Sequence, residues 1–146
     1  MARMHIHIAV EDLAHNIDFY STLFGVAPSV TKEDYAKWQL DDPKVNFAIS
    51  TRGSRPGLDH IGIQSDSTEE QARIERRLRD AGIAGMEQKG TTCCYAQSDK
   101  YWTLDPQGIP WETFHTLASA PTFNADEDAK PAGDRGCCAP GFSSCC

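Results

Sequence analysis

The sequence predicts an α+β domain built from two βαβββ modules whose sheets join into an open, curved barrel around one cavity. Three observations carry this. Residues 4–10, MHIHIAV, alternate with period two, the signature of a strand. The pattern returns as LDHIGIQ over 58–64, so that His60-Ile61-x-Ile63 repeats His5-Ile6-x-Ile8 at an offset of 55 residues. Each copy leads into a helix-period segment and then into short strand-like runs. A repeat of this length that restarts only once is an internal duplication, not a solenoid.

In the first strand Met4, Ile6, Ile8 and Val10 share one face, and His5, His7 and Ala9 the other. Asp12 then caps a helix with Leu13, Ile17, Tyr20 and Phe24 along one stripe and Gly25 as its stop. Two strands are expected at Tyr35 to Leu40 and Val45 to Thr51, around the turn Asp41-Asp42-Pro43-Lys44, and residues 51–57 form a linker. After the second copy of the strand, Ser67-Thr68-Glu69-Glu70 reads as a capping box for a helix carrying Ile74, Leu78 and Ala81 and ending at Gly82. Strand-like stretches follow near Met86 to Lys89, Cys94 to Gln97, Tyr101 to Leu104 and Trp111 to His115, with a turn at Asp105-Pro106-Gln107-Gly108. The modules are placed at about 1–52 and 57–118. From residue 119 to 146 Ala, Pro, Gly, Ser and Asp dominate and large aliphatics vanish, which predicts a disordered, Cys-rich tail.

The chain has 146 residues, 14 Lys+Arg against 21 Asp+Glu and a formal net charge of -7. One domain of this size buries a core without a disulfide or a structural metal as support. No run approaches the roughly 18 apolar residues of a membrane helix. The N-terminus enters the first strand with no secretory h-region, so a cytoplasmic protein is expected. The acidic balance argues against nucleic acid as a partner, because phosphate affinity comes from clustered Lys and Arg. Arg73, Arg76, Arg77 and Arg79 lie among Glu residues in the second helix and read as a solvated face.

The six cysteines are the anomaly. They occur as three adjacent pairs, Cys93-Cys94, Cys137-Cys138 and Cys145-Cys146. Neighbouring cysteines bridge each other only with strain, and a reducing cytosol opposes disulfides. Thiolate chemistry with a soft metal or metalloid remains.

A non-haem Fe(II) site of the facial-triad type needs two imidazoles and one carboxylate, with positions left open for dioxygen and substrate. His5 and His60 hold equivalent places in the two repeats, and a pseudo-twofold axis brings them together at the cavity. Glu112, between bulky apolar residues in IPWETFH, is the matching carboxylate, since an unpaired one there is costly. A loose match of Asp42-Pro43 to Asp105-Pro106 places Asn46, a poor ligand, at the comparable point of the first repeat. A strand histidine is more often a hydrogen-bonded structural residue than a ligand. His7 shares the face of His5, and ligand, supporting group and plain packing all stay open for it. His15 is expected to be exposed and His115 to be structural. Cys93 and Cys94, in the polar stretch GTTCCYAQSDKYW, form either a bidentate clamp for a thiophilic centre or an incidental pair.

The segments HIHIAVEDLAHNIDFYSTLFG, LDHIGIQ and LDPQGIPWETF resemble the vicinal oxygen chelate superfamily, in which two βαβββ modules form one metal cavity. The likeness spans 1–118, with His5, His60 and Glu112 at the three ligand positions. Within that superfamily, KGTTCCYAQSDKYW resembles the carbon-arsenic lyases, also labelled arsenic- or cadmium-inducible or glyoxalase-like proteins. The resemblance implies that Fe(II) on His5, His60 and Glu112 activates dioxygen while Cys93 and Cys94 hold the arsenic of a trivalent organoarsenical such as methylarsenite. Where some relatives carry Gln at the first position, His5 completes the two-His, one-carboxylate set. The loop 90–100 would close over the site, with Tyr95, Tyr101 or Trp102 as its shield. Two other readings compete: a glyoxalase or extradiol dioxygenase of the same architecture, and a thiol-based protein that sequesters As(III), Sb(III) or Cd(II).

Overall fold

The computed structural model describes residues 2–53 and 55–121. The tail cysteines Cys137, Cys138, Cys145 and Cys146 lie outside these residues. The order is β1 (Arg3–Ala9), α1 (Leu13–Phe24), β2 (Val30–Thr31), β3 (Tyr35–Asp41) and β4 (Lys44–Ser50), then β5 (Gly57–Ser65), α2 (Thr68–Asp80), β6 (Gly85–Cys93), β7 (Ala96–Leu104) and β8 (Pro110–Ser119). This is βαβββ twice. The two-residue β2 is an addition to the strands legible in the sequence, and the stretch Cys94 to Gln97 divides between a turn and the start of β7. No helix among the described residues is long and apolar enough to cross a membrane.

All eight strands form one sheet in the order β2-β3-β4-β1-β5-β8-β7-β6, the second module repeating the first in mirror order. Within each module the first and last strands run parallel, β1 with β4 and β5 with β8. The modules meet where β1 pairs antiparallel with β5. Both helix starts are capped: Asp12 accepts from the His15 amide at 2.9 Å, and Ser67 accepts from the Glu70 amide at 3.2 Å. The Glu70 carboxylate reaches the Asp66 amide at 2.9 Å, one residue earlier than a standard capping box requires. Gly25 ends α1 in the left-handed conformation with φ 69.

The modules differ in how their helices are held. Under α1 the aromatic residues Tyr20, Phe24, Trp38 and Phe47 interlock, with Tyr20 and Phe47 ring centroids 4.5 Å apart. The Trp38 indole N–H donates to the Val26 carbonyl at 3.0 Å. Under α2, polar Gln71 and Glu75 are buried beside Ile74. Gln71 donates to the Thr113 carbonyl at 2.9 Å and to Glu75 at 3.1 Å, so hydrogen bonds tie this helix to β8. On β1 the more deeply buried face is the one bearing His5, His7 and Ala9, which looks into the concave side of the sheet. Ile6 and Ile8 pack outward against the cluster beneath α1.

Gly62 lets β8 approach β5. A Cβ at this position would stand 1.8 Å from the Glu112 carbonyl oxygen and 2.7 Å from its carbon. Overpacking of this kind costs about 1–3 kcal/mol. Gly62→Ala is therefore expected to lower the urea midpoint by an amount corresponding to at least the lower end of that range, and an unchanged midpoint would show that the strands separate freely.

Candidate active site

The strand registers gather the chemistry. His7 stands directly opposite His60 across the β1–β5 pair, His5 stands opposite Gly62, and Gly62 is in register with Glu112 on β8. These four side chains are buried, with His5, His7, His60 and Glu112 each at most 5% exposed. His5 Nε2 and His60 Nε2 are 3.1 Å apart. Glu112 Oε2 lies 3.3 Å from His60 Nε2 and 3.6 Å from His5 Nε2. Donor atoms about 2.1 Å from a six-coordinate ion are about 3 Å apart along one octahedral face, so this triangle fits a divalent metal on one side.

The groups behind these side chains orient them. His5 Nδ1–H donates to the Asn46 carbonyl at 3.1 Å, which turns its Nε2 lone pair toward the centre. His60 Nδ1 bonds the Asp59 carboxylate at 2.6 Å. Adjacent strand residues normally point to opposite faces, and a bulge explains this exception. The register shifts just after His7, pairing Ile8 with Leu58 and leaving Asp59 as the extra residue. Glu112 Oε1 accepts from Lys100 Nζ at 2.5 Å, leaving Oε2 for the histidines. Lys100 is 4% exposed, its cation lying between the Trp102 and Phe114 rings at 5.9 and 6.0 Å.

The protonation states follow from these contacts. Burial alone would raise the Glu112 carboxyl, yet Lys100, His60 and His5 together hold it well below the usual carboxylate range. Burial disfavours a charged His60, but hydrogen bonds to Asp59 and Glu112 outweigh it and push this imidazole up to about 9. His5, desolvated and facing the charge on His60, falls to about 3. Without a metal, the cluster therefore holds one imidazolium between two carboxylates.

The register also corrects the placement of Asn46. Glu112 is in register with the residue two beyond His60, so its counterpart in the first module is in register with the residue two beyond His5. That residue is His7, and its partner on β4 is Ala48. Asn46 sits one step away, its side-chain amide donating to Gln64 Oε1 at 3.0 Å. The first module thus brings no carboxylate to the position of Glu112. His15 is exposed, and His115 Nδ1 bonds the Ser65 carbonyl at 3.0 Å, a structural role.

Cys93 and Cys94 lie at the tip of the β6–β7 hairpin. Cys93 ends β6, and Cys94 and Tyr95 form the two-residue turn with φ 55 and 60. Such turns favour Asn-Gly, because left-handed backbone costs a residue with a Cβ about 1 kcal/mol or more. Contacts across the cavity mouth offset that cost. The Tyr95 hydroxyl donates to Asp34 Oδ1 at 2.5 Å, and Asp34 is ion-paired with Arg52. Lys32 stands over the Tyr95 ring at 5.3 Å, and the Ala120 amide donates to the Tyr95 carbonyl at 2.8 Å. The second module's hairpin therefore rests on the first module's β2–β3 connection and spans the open side of the sheet. Cys93, 1% exposed, packs with Tyr35 and Ala48, next to His7 in the register. Neither cysteine is in a disulfide among the described residues, and the two sulfurs lie 3.2 Å apart. A thiophilic centre bound to both at about 2.3 Å, with a near-right angle between the bonds, holds them about that far apart. Of the three candidate shields, Trp102 lies 5.1 Å from the His60 ring and Tyr95 sits at the tip. Tyr101 points to the opposite face, beneath Arg79.

Residues 3–113 match the model of the Glyoxalase/Bleomycin resistance protein/Dioxygenase superfamily. The chain therefore belongs to that superfamily, and it is an enzyme of the vicinal-oxygen-chelate type. It is 38% identical to a trivalent organoarsenical cleaving enzyme of Bacillus sp. (strain MD1), an alignment covering 99% of this chain and 94% of the relative. A protein of the same description from Thermomonospora curvata is 34% identical, with 96% and 90% covered. Among solved structures, homoprotocatechuate 2,3-dioxygenase from Arthrobacter globiformis shares the fold, with TM-score 0.60 and 20% identity over 89% of this chain and 40% of its own.

Removing one partner of a buried ion pair strands the other charge, typically at about 3–5 kcal/mol. In metal-free protein, Lys100→Met should lower the unfolding free energy by about 3 kcal/mol. Adding Glu112→Gln should recover most of that loss, a coupling read from a double-mutant cycle in urea.

Proposed function

We propose that the protein is an iron(II)- and dioxygen-dependent carbon-arsenic lyase acting on trivalent organoarsenicals such as methylarsenite. The observation that carries this is a vicinal thiol pair, with sulfurs 3.2 Å apart, whose inner member packs against Ala48, the register partner of His7, beside a buried two-His, one-carboxylate cluster. The relatives named for organoarsenical cleavage support the same substrate class. A catechol dioxygenase has no use for paired thiols beside its iron.

In this reading His5, His60 and Glu112 hold the metal. Iron(II) bound there supplies electrons and open coordination positions for dioxygen. The Cys93 and Cys94 thiols displace the two hydroxides of methylarsenite as water, turning an encounter into a positioned reaction. The left-handed turn and its tie to Asp34 fix the sulfurs over the cavity, and Trp102 and Phe114 keep the floor apolar around the charged cluster. Lys100 keeps Glu112 ionised, so the carboxylate stays an electron-pair donor. The overall change balances with one dioxygen: CH3As(OH)2 + O2 gives formaldehyde and As(OH)3, the methyl carbon being oxidised and dioxygen reduced.

The reading places this chemistry in the cytoplasm, with residues 1–118 as the catalytic domain. It gives the 119–146 segment a supporting role, in which Cys137, Cys138, Cys145 and Cys146 capture thiophilic arsenic and pass it to the hairpin.

Incubation with methylarsenite, Fe(II) and air should yield arsenite and formaldehyde in equal amounts, followed by arsenic speciation. Cys93→Ser and Cys94→Ser should each lower turnover at least about 100-fold with metal content unchanged, whereas Glu112→Ala should lose the metal. Full activity in both cysteine variants would remove the thiol clamp. Truncation after Ala120 preserves the amide that bonds Tyr95, so kcat should stand while the rate at low substrate falls. An unchanged rate at low substrate would leave the tail with no delivery role.

A further inference from the structure

His7 is the one buried imidazole of the cavity to which the proposed chemistry gives no task. It is 1% exposed, and its Nε2 shares a hydrogen bond with Ser50 Oγ at 2.9 Å. The tautomer in which Nε2–H donates to Ser50 leaves the lone pair on Nδ1. Nδ1 is buried and has no hydrogen-bond partner. An unsatisfied buried polar atom of this kind typically costs about 1–3 kcal/mol, so the fold keeps it against a penalty.

The internal repeat makes the residue more unusual. Its counterpart in the second module is Gly62, and the residue beside it on β4 is Ala48, the counterpart of Glu112. At Gly62 a side chain would strike the Glu112 backbone. At His7 the small Ala48 leaves room for a ring. The pseudo-twofold axis thus carries the position of Glu112 onto Ala48, directly beside His7. A nitrogen of His7 lies within 4.8 Å of nitrogens of both His5 and His60. Donors on a shared six-coordinate ion are about 3 Å apart when adjacent and about 4.2 Å when opposite, so His7 joins the ion once its ring moves in beside at least one of these two imidazoles.

The geometry points to His7 Nδ1 as a fourth protein ligand, making the centre three-His, one-Glu rather than two-His, one-Glu. The inference rests on the metal-centre reading given above and deepens it. Ser50 then acts as the positioning residue that presents Nδ1, in the way that Asn46 and Asp59 present His5 and His60. Two positions of an octahedral ion remain for other ligands, and the arsenic itself is held by sulfur.

The test uses the full chain loaded anaerobically with Co(II), which needs no turnover. X-ray absorption should count three imidazoles around the metal in the wild type and two in His7→Gly, the residue that stands at the equivalent place in the second repeat. Chelator competition should show His7→Gly raising the metal Kd about 10–100-fold and Ser50→Ala raising it about tenfold. Two imidazoles in the wild type, a count that needs no variant to fold, would overturn the assignment of His7 and leave His5, His60 and Glu112 standing. A wild type that takes up no stoichiometric metal would instead overturn the metal centre itself and this inference with it.

Discussion

The antiparallel pairing of β1 with β5 is the constraint from which the site follows. Each module alone offers one first-strand histidine to its own concave face. Only when the two first strands are neighbours, with His7 opposite His60 and His5 opposite Gly62, do the imidazoles of different repeats come within bonding distance of one centre. A slip of one residue would turn every one of these side chains to the outer face, where α1 and its aromatic cluster lie. The one irregularity in the pairing begins just past the site. It releases Asp59 to reach back to His60, so even the departure from regular register serves the cluster.

The duplicated modules have diverged in a way that divides labour. The first carries a dense aromatic layer and a floor of Ala48, Ser50 and Asn46 that holds histidines in place. The second carries the charges: Glu112, Lys100, Asp59 and a charged His60. These four sum to zero in the absence of a metal, which is how so many ionised groups remain buried in a domain of this size. The second module's helix is correspondingly tied by Gln71 hydrogen bonds beside the buried Ile74. The hairpin that bears the thiols also belongs to this module, but it is held by Asp34, Arg52 and Lys32 of the first.

Much of this was legible in the sequence because it depends on period and on local chemistry. His5 and His60 stand out because the same strand pattern recurs 55 residues apart, and Glu112 because a carboxylate between Trp111 and Thr113-Phe114 needs a partner. Asp12, Ser67 and Gly25 mark helix ends through their own side chains or lack of one. What spacing does not encode is register between distant strands. Asn46 therefore reads as the counterpart of Glu112, although the β1–β4 pairing gives that place to Ala48. Lys100 reads as an ordinary strand charge until β7 is laid beside β8. The hairpin turn is hidden because Cys94-Tyr95 lacks the Asn-Gly that usually announces one, and β2 is too short to show any alternation.

The two cysteines at that turn are chemically adjacent but topographically unequal. Cys93 is sealed between Tyr35 and Ala48, while Cys94 is only partly covered. On the proposed reading an incoming thiophile would meet the outer sulfur first and be handed inward, so chelation would proceed in a fixed order and release in the reverse one. A monodentate adduct on Cys94 would then be the entry state, and the inner thiol the latch that converts brief capture into residence beside the histidine cluster.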